Sequence, residues 1–228
     1  MTSERPHLSP APVDAATEAA RYALLRRLAF AIRHDLMAEL QPITMTGEVL
    51  ERRLAAPQPD LKQLRESAAR ITGFSRAAVR SCLDVITWMA PEPGRTMPVQ
   101  QVVRDTVDLL GSSFGFRGFV LRNDAIEAPW SVPRTGLRQL LPACLFLLAD
   151  EAGPPAEITL GAQLADGQVR VVLSLEPVEG PEGVLGEPPY RALSAAEVQL
   201  LARAEGIAFT RTGDHIELVL AQVPPEGE

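Results

Sequence analysis

One long helical stripe constrains this chain more than any other feature. At 100° of turn per residue, Leu25, Leu28, Ile32, Leu36, Leu40, Ile43, Gly47, Leu50 and Leu54 fall along one side of a segment from about Asp14 to Ala55. That spacing predicts a single amphipathic helix whose stripe must be buried against something. Pro42 lies inside it and removes a backbone hydrogen bond, so a kink is expected about two turns after His34. The spacing stays in phase beyond the proline, which argues for one kinked helix over two short ones.

Pro57-Gln58-Pro59-Asp60 forms a turn, with Asp60 placed to cap a second helix reaching about Met89. Leu61, Leu64, Ala68, Ile71, Val79, Cys82, Ile86 and Met89 supply its apolar face. Two long helices joined by so few residues lie antiparallel. A lone hairpin leaves its seam half covered, and two copies side by side close a four-helix core. A homodimer is therefore expected. The competing outcome is that the hairpin packs on the rest of its own chain.

Pro91-Glu92-Pro93-Gly94 reads as a linker. The expected organisation is a disordered lead over 1–13, a helical hairpin over 14–92, an α/β domain over 95–222 and a tail over 223–228. The second domain should hold a helix from Pro98 to Phe114, a strand near Phe119 to Arg122, and a helix capped by Thr135. Strands Ile158 to Leu164 and Val169 to Leu175 follow, joined by an Asp166-Gly167 hairpin turn. Ser194-Ala195-Ala196-Glu197 is a capping box opening a further helix. Ile207 to Arg211 and Ile216 to Leu220 make a last hairpin around Gly213-Asp214. The fold class predicted is α+β, a helical hairpin followed by a two-layer α/β sandwich with a mixed, largely antiparallel sheet.

Composition narrows the function. The 228 residues are 46% apolar and 22% charged, ordinary for a globular protein of this length. A formal charge of −7 argues against a general nucleic-acid binder. The apolar run Leu140 to Ala149 is far shorter than a membrane span and contains Pro142. With no secretory h-region at the start, a cytoplasmic location is expected. Cys82 and Cys144 sit in apolar patterns without ligand spacing and are expected to be buried free thiols.

The candidate site is His34, which lies almost diametrically opposite the stripe. Solvation is the commonest fate of such a histidine. Here Asp35 follows it directly, and its side of the helix carries Phe30, Met37, Ala38, Gln41 and Met45 along with Arg27, an apolar set for a solvent face. That surround points to function and marks a candidate docking flank.

The run His34-Asp35-Leu36, with Leu40, Ile43, Gly47 and Glu48-Val49-Leu50, resembles the phosphoacceptor helix of two-component histidine kinases. The order of elements after it is similar to the ATP-binding domain of the same kinases. The resemblance implies a dimeric four-helix bundle with His34 exposed to accept a phosphoryl group and Asp35 as the acidic neighbour that orients it. Three departures then decide the expected chemistry. Leu148 takes the slot of the asparagine that would hold Mg²⁺, and an aliphatic chain cannot ligate a hard cation. Glu176-Pro177-Val178-Glu179-Gly180 stands in place of the Asp-x-Gly-x-Gly turn. Tyr190-Arg191-Ala192-Leu193 leads into the Ser194 helix with no glycine for a phosphate to approach, after an acidic stretch containing Glu179, Glu182 and Glu187.

Ala38 follows His34 by four residues, where the family often carries a threonine or asparagine that orients a hydrolytic water. With kinase and phosphatase roles both disfavoured, phosphorelay remains. The expected function is a histidine phosphotransfer protein relaying phosphoryl groups between response-regulator receiver domains through His34. It would bind no cofactor of its own and use Mg²⁺ supplied by the receiver. The alternatives are a non-catalytic pseudokinase adaptor and a divergent ATP-dependent kinase.

Overall fold

The computed structural model describes residues 14–89, 94–125, 127–180, 183 and 190–223. The expected lead, the linker prolines, almost all of the span from Gly180 to Pro189 and the end of the tail lie outside the described residues.

Helix α1 runs unbroken from Ala15 to Leu54, with Pro42 inside it. It opens on Asp14, whose carboxylate accepts the Thr17 amide at 3.3 Å, and ends with Arg52 and Arg53 in its last turn, complementing the helix dipole. Helix α2 spans Leu61–Met89, and Asp60 caps it, accepting the Lys62 amide at 2.8 Å. Near the turn, Arg53 crosses from α1 to donate to Ser67 Oγ at 2.8 Å and to the Gln63 carbonyl at 3.3 Å.

The second domain follows as β1 (Thr96–Pro98), α3 (Val99–Phe116), β2 (Phe119–Asn123), β3 (Ser131–Pro133), α4 (Arg134–Glu151), β4 (Ala156–Ala165), β5 (Gln168–Pro177), α5 (Ala195–Ala204), β6 (Ala208–Thr212) and β7 (His215–Ala221). The main sheet has the order β2-β4-β5-β7-β6. Only the β2–β4 pair is parallel. Asp166 and Gly167 both take positive φ, 54° and 72°, as a two-residue turn matched to the strand twist requires. Alternate residues of β5 and β7 (Val169, Val171, Leu173; Ile216, Leu218, Leu220) face the helices and are buried. Ser194 and Glu197 form the expected reciprocal capping box on α5. Among the described residues, no helix is long and apolar enough to cross a membrane.

Three expectations are corrected. A short ribbon, β1 paired with β3, was not foreseen, and it displaces Thr135 from its expected cap position. The Arg134 amide is satisfied by the Arg95 carbonyl at 2.9 Å, and the Val99 and Gln100 amides by the Trp130 and Ala128 carbonyls at 2.9 and 3.0 Å. Backbone from the ribbon and its flanks therefore supplies what side-chain caps supply elsewhere, so α3 and α4 both start without one. Cys82 is exposed and only Cys144 is buried, although both sit in apolar patterns.

The third correction concerns which side of α1 is buried. In its first half the covered residues are Thr17, Ala20, Ala23, Leu24, Arg27, Leu28 and Ala31, packed on α3, α4 and α5. That side is centred about a third of a turn from the predicted stripe and takes Leu28 from its edge. The rest of the stripe stays open there, with Leu25, Ala29, Ile32, Leu36 and Leu40 lining a groove of about 360 Å³. The hairpin thus packs on its own chain and still leaves an apolar surface uncovered. Alanines let α1 approach closely, and close approach is what buries Arg27 to 2% exposure.

Arg27 forms a two-pronged pair with Asp150 at the end of α4, one contact being Nη2–Oδ1 at 2.8 Å. Its guanidinium lies 4.2 Å from the centroid of Phe146, and Arg117 adds a second bond to Asp150 at 2.9 Å. Arg21 pairs with Glu205 at 2.9 Å, and Tyr22 meets Tyr190 edge-on at 6.0 Å. Helix α4 ends up buried on nearly all sides, by the sheet and by α1. Removing one partner of a buried pair strands the other charge. Asp150→Ala should therefore lower the unfolding free energy by about 3–5 kcal/mol in urea titration. A loss below about 1 kcal/mol would show these charges behaving as a surface pair.

Candidate functional site

His34 lies one turn beyond the last buried alanine of α1, where the helix leaves the second domain and its outward side opens to solvent. Its ring makes no hydrogen bond to the described residues, so both nitrogens are free to meet an incoming group. Phe30, Met37 and Met45 on the flank are 43%, 47% and 66% exposed, and Ala38 and Gln41 are exposed as well. The second domain does not cover them. Arg33 is also exposed, with its guanidinium 5.5 Å from the centroid of Phe30. Arg27, assigned from sequence to this same face, belongs instead to the inter-domain contact.

Asp35 points along the side of α1 nearer the second domain. Partial burial raises its pKa above the ordinary aspartate value, and the charges of Glu39 and of Asp108 on α3 push the same way. His34 is the opposing influence, and no arginine is among the groups that perturb this carboxyl. The charge of Asp35 is therefore costly where it sits, and a cation on His34 offsets part of that cost.

The second domain's departures from a nucleotide site have physical positions. Leu148 is fully buried in the core, as is Cys144, whose thiol burial pushes far up. Asp150 is taken by Arg27 and Arg117, and Glu151 by Arg211 at 2.6 Å, whose hydrogen bond holds the Glu151 carboxyl below its usual value. Glu176 and Pro177 end strand β5, where Pro177 pairs with Ala156. Tyr190 turns inward against Tyr22 and Arg26, the latter 5.2 Å from its ring centroid. Among the described residues, no group of three or more histidine, cysteine or carboxylate side chains is placed to hold a metal ion.

Sequence reasoning placed Arg27 on the histidine's flank and missed the roles of Arg117, Asp150 and Asp108. Arginine and aspartate on amphipathic helices read as surface charge. Only the run of alanines beside the leucine stripe hinted at a second buried face.

No known family profile and no curated protein matches the chain. Among solved structures it is similar to the catalytic domain of histidine kinase ThkA, at 14% identity and a TM-score of 0.43 over 58% of this chain and 98% of that one. It is also similar to the Acinetobacter baumannii histidine kinase AdeS, at 15% identity and a TM-score of 0.44 over 82% and 98%. A third is a bacterial phosphotransferase, at 17% identity and a TM-score of 0.37 over 92% and 98%. The α+β architecture rests on the hairpin and strand order above.

A raised carboxylate pKa means the folded state binds the Asp35 proton more tightly than the unfolded state does. Stability tied to this group is fully present below the unfolded pKa and is lost as pH rises through the raised folded value. Asp35→Asn should therefore raise the melting temperature at neutral pH, and the gain should vanish below about pH 4. An equal gain at both pH values would mean that the carboxylate's charge is not the cause.

Proposed function

We propose that the chain is a histidine phosphotransfer protein that exchanges phosphoryl groups with receiver domains through His34. The observation that carries this reading is an imidazole open on all outward sides and flanked by the exposed apolar side chains of Phe30, Met37 and Met45. In transfer, a ring nitrogen lone pair attacks the phosphorus of an aspartyl phosphate. The P–N bond forms as the P–O bond to the carboxylate breaks, and the aspartate leaves as its carboxylate. The return step reverses these bonds toward another receiver. Little acid–base help is needed, so in-line placement by the docking flank is the main requirement. Asp35, the next residue along the helix, is the acidic neighbour that would orient the ring. Mg²⁺ bound by the receiver would neutralise the phosphoryl oxygens.

The same reading makes the second domain a packing module with no nucleotide role. The buried Leu148, the engaged Asp150 and Glu151, and the cover that α1 lays over α4 all support it. Two copies would join through the open groove on α1 and the exposed Val79, Leu83 and Ile86 of α2. Burial of such surface contributes about 25 cal/mol per Å².

His34→Gln should abolish acid-labile label acquired from a phosphorylated receiver, with stability changed by no more than about 0.5 kcal/mol. Wild-type protein that takes up no label would instead favour a non-catalytic adaptor. Phe30→Ala should weaken receiver binding by about 1–3 kcal/mol in titration calorimetry without altering the melting temperature. ATP with Mg²⁺ should give no thermal shift, whereas specific binding would stabilise by about 2.7 kcal/mol at a hundredfold excess over Kd.

A further inference from the structure

At the far end of the hairpin, α1 and α2 enclose a second hollow of about 240 Å³. Its rim carries Arg52 and Arg53 from α1 and Arg70 from α2. The chain as a whole is acidic, at −7, yet these guanidiniums converge with a single carboxylate, Glu48, on the same wall. None of them forms an ion pair with a carboxylate among the described residues. Arg53 is held in place by Ser67, itself buried, and by the Gln63 carbonyl. Arg52 reaches only the Glu48 carbonyl, at 3.4 Å, and Arg70 lies 6.0 Å from the Phe74 ring centroid.

Thr46, 9% exposed, lines the same hollow. Guanidinium forks match tetrahedral phosphate oxygens better than any other side chain. Met45 and Val49 make the remaining wall apolar, so a bare inorganic ion would leave part of the space unfilled.

We propose that this hollow binds a small phosphomonoester, its phosphate on Arg52, Arg53 and Arg70, its apolar body against Met45 and Val49. The site goes beyond the relay reading and does not depend on it. It bears on it through Met45, which both lines the hollow and belongs to the exposed flank, about 16 Å along α1 from His34 at 1.5 Å per residue. An occupant would cover that side chain and so compete with a protein docked on the flank.

Phenyl phosphate and inorganic phosphate serve as probes, titrated calorimetrically into the full-length protein at low salt. The expected result is saturable binding of phenyl phosphate, tighter than that of inorganic phosphate. Arg70→Gln should weaken it about tenfold or more, the scale of a charge-assisted hydrogen bond. Thr46→Val, which keeps the side chain's shape, should weaken it several-fold. Absence of saturable binding would overturn the proposal. So would binding unchanged in Arg70→Gln, which would mark an adventitious ion. If no small anion binds while Arg70→Gln slows phosphoryl transfer from a receiver, the arginines meet a partner's carboxylates and the small-molecule site is wrong. These binding measurements need no phosphorylated His34, so failure of the relay reading would leave them unaffected.

Discussion

The contact of Arg27 with Asp150 and Arg117 is the interaction on which the arrangement of this chain depends. Desolvating a guanidinium and a carboxylate costs several kcal/mol each, so a buried pair persists only with good geometry and further partners. Asp150 has both: a two-pronged contact to Arg27 and a second arginine on its other side. Phe146 adds an aromatic face to the guanidinium. The result is a fixed register between the first half of α1 and the end of α4. From that register follow the exposure of His34, about two turns past Arg27, and the placement of Asp35 toward the acidic flank of α3.

The same contact changes what the second domain can do. A helix lying on a sheet normally has one face free for ligands or partners. Here α4 has the sheet on one side and α1 on the other, and the groups near its end that could face an anion or cation are spent on ion pairs. Among the described residues, the hairpin leaves open the histidine and its flank, the groove of Leu25, Ile32 and Leu36, and the arginine-rimmed hollow near the turn.

Much of the architecture was legible because it is written in local chemistry. Asp60 and the Ser194–Glu197 box mark helix starts through side-chain hydrogen bonds that span only a few residues. Asp166-Gly167 marks a hairpin because its backbone needs positive φ at both positions. The period of the leucines specified a long helix through Pro42, and the position of His34 opposite them singled out the residue that the structure leaves exposed. What was not legible depends on backbone groups or on distant charges. No side-chain signal predicts that carbonyls flanking a three-residue ribbon will cap α3 and α4.

The sequence by itself determined the long helices, the main-sheet strands, their order and the candidate residue, because periodicity, capping and turn geometry act over a few residues. Tertiary structure alone decided which side of α1 is buried. Two faces of that helix compete, one of leucines and one of alanines with Leu24 and Leu28 at its edge and an arginine within it, and hydrophobicity favours the first. The alanine face is the one covered within the chain, because it permits the close approach that lets Arg27 reach an aspartate 123 positions away. A charge buried by its partner looks, in one dimension, the same as a charge left in water.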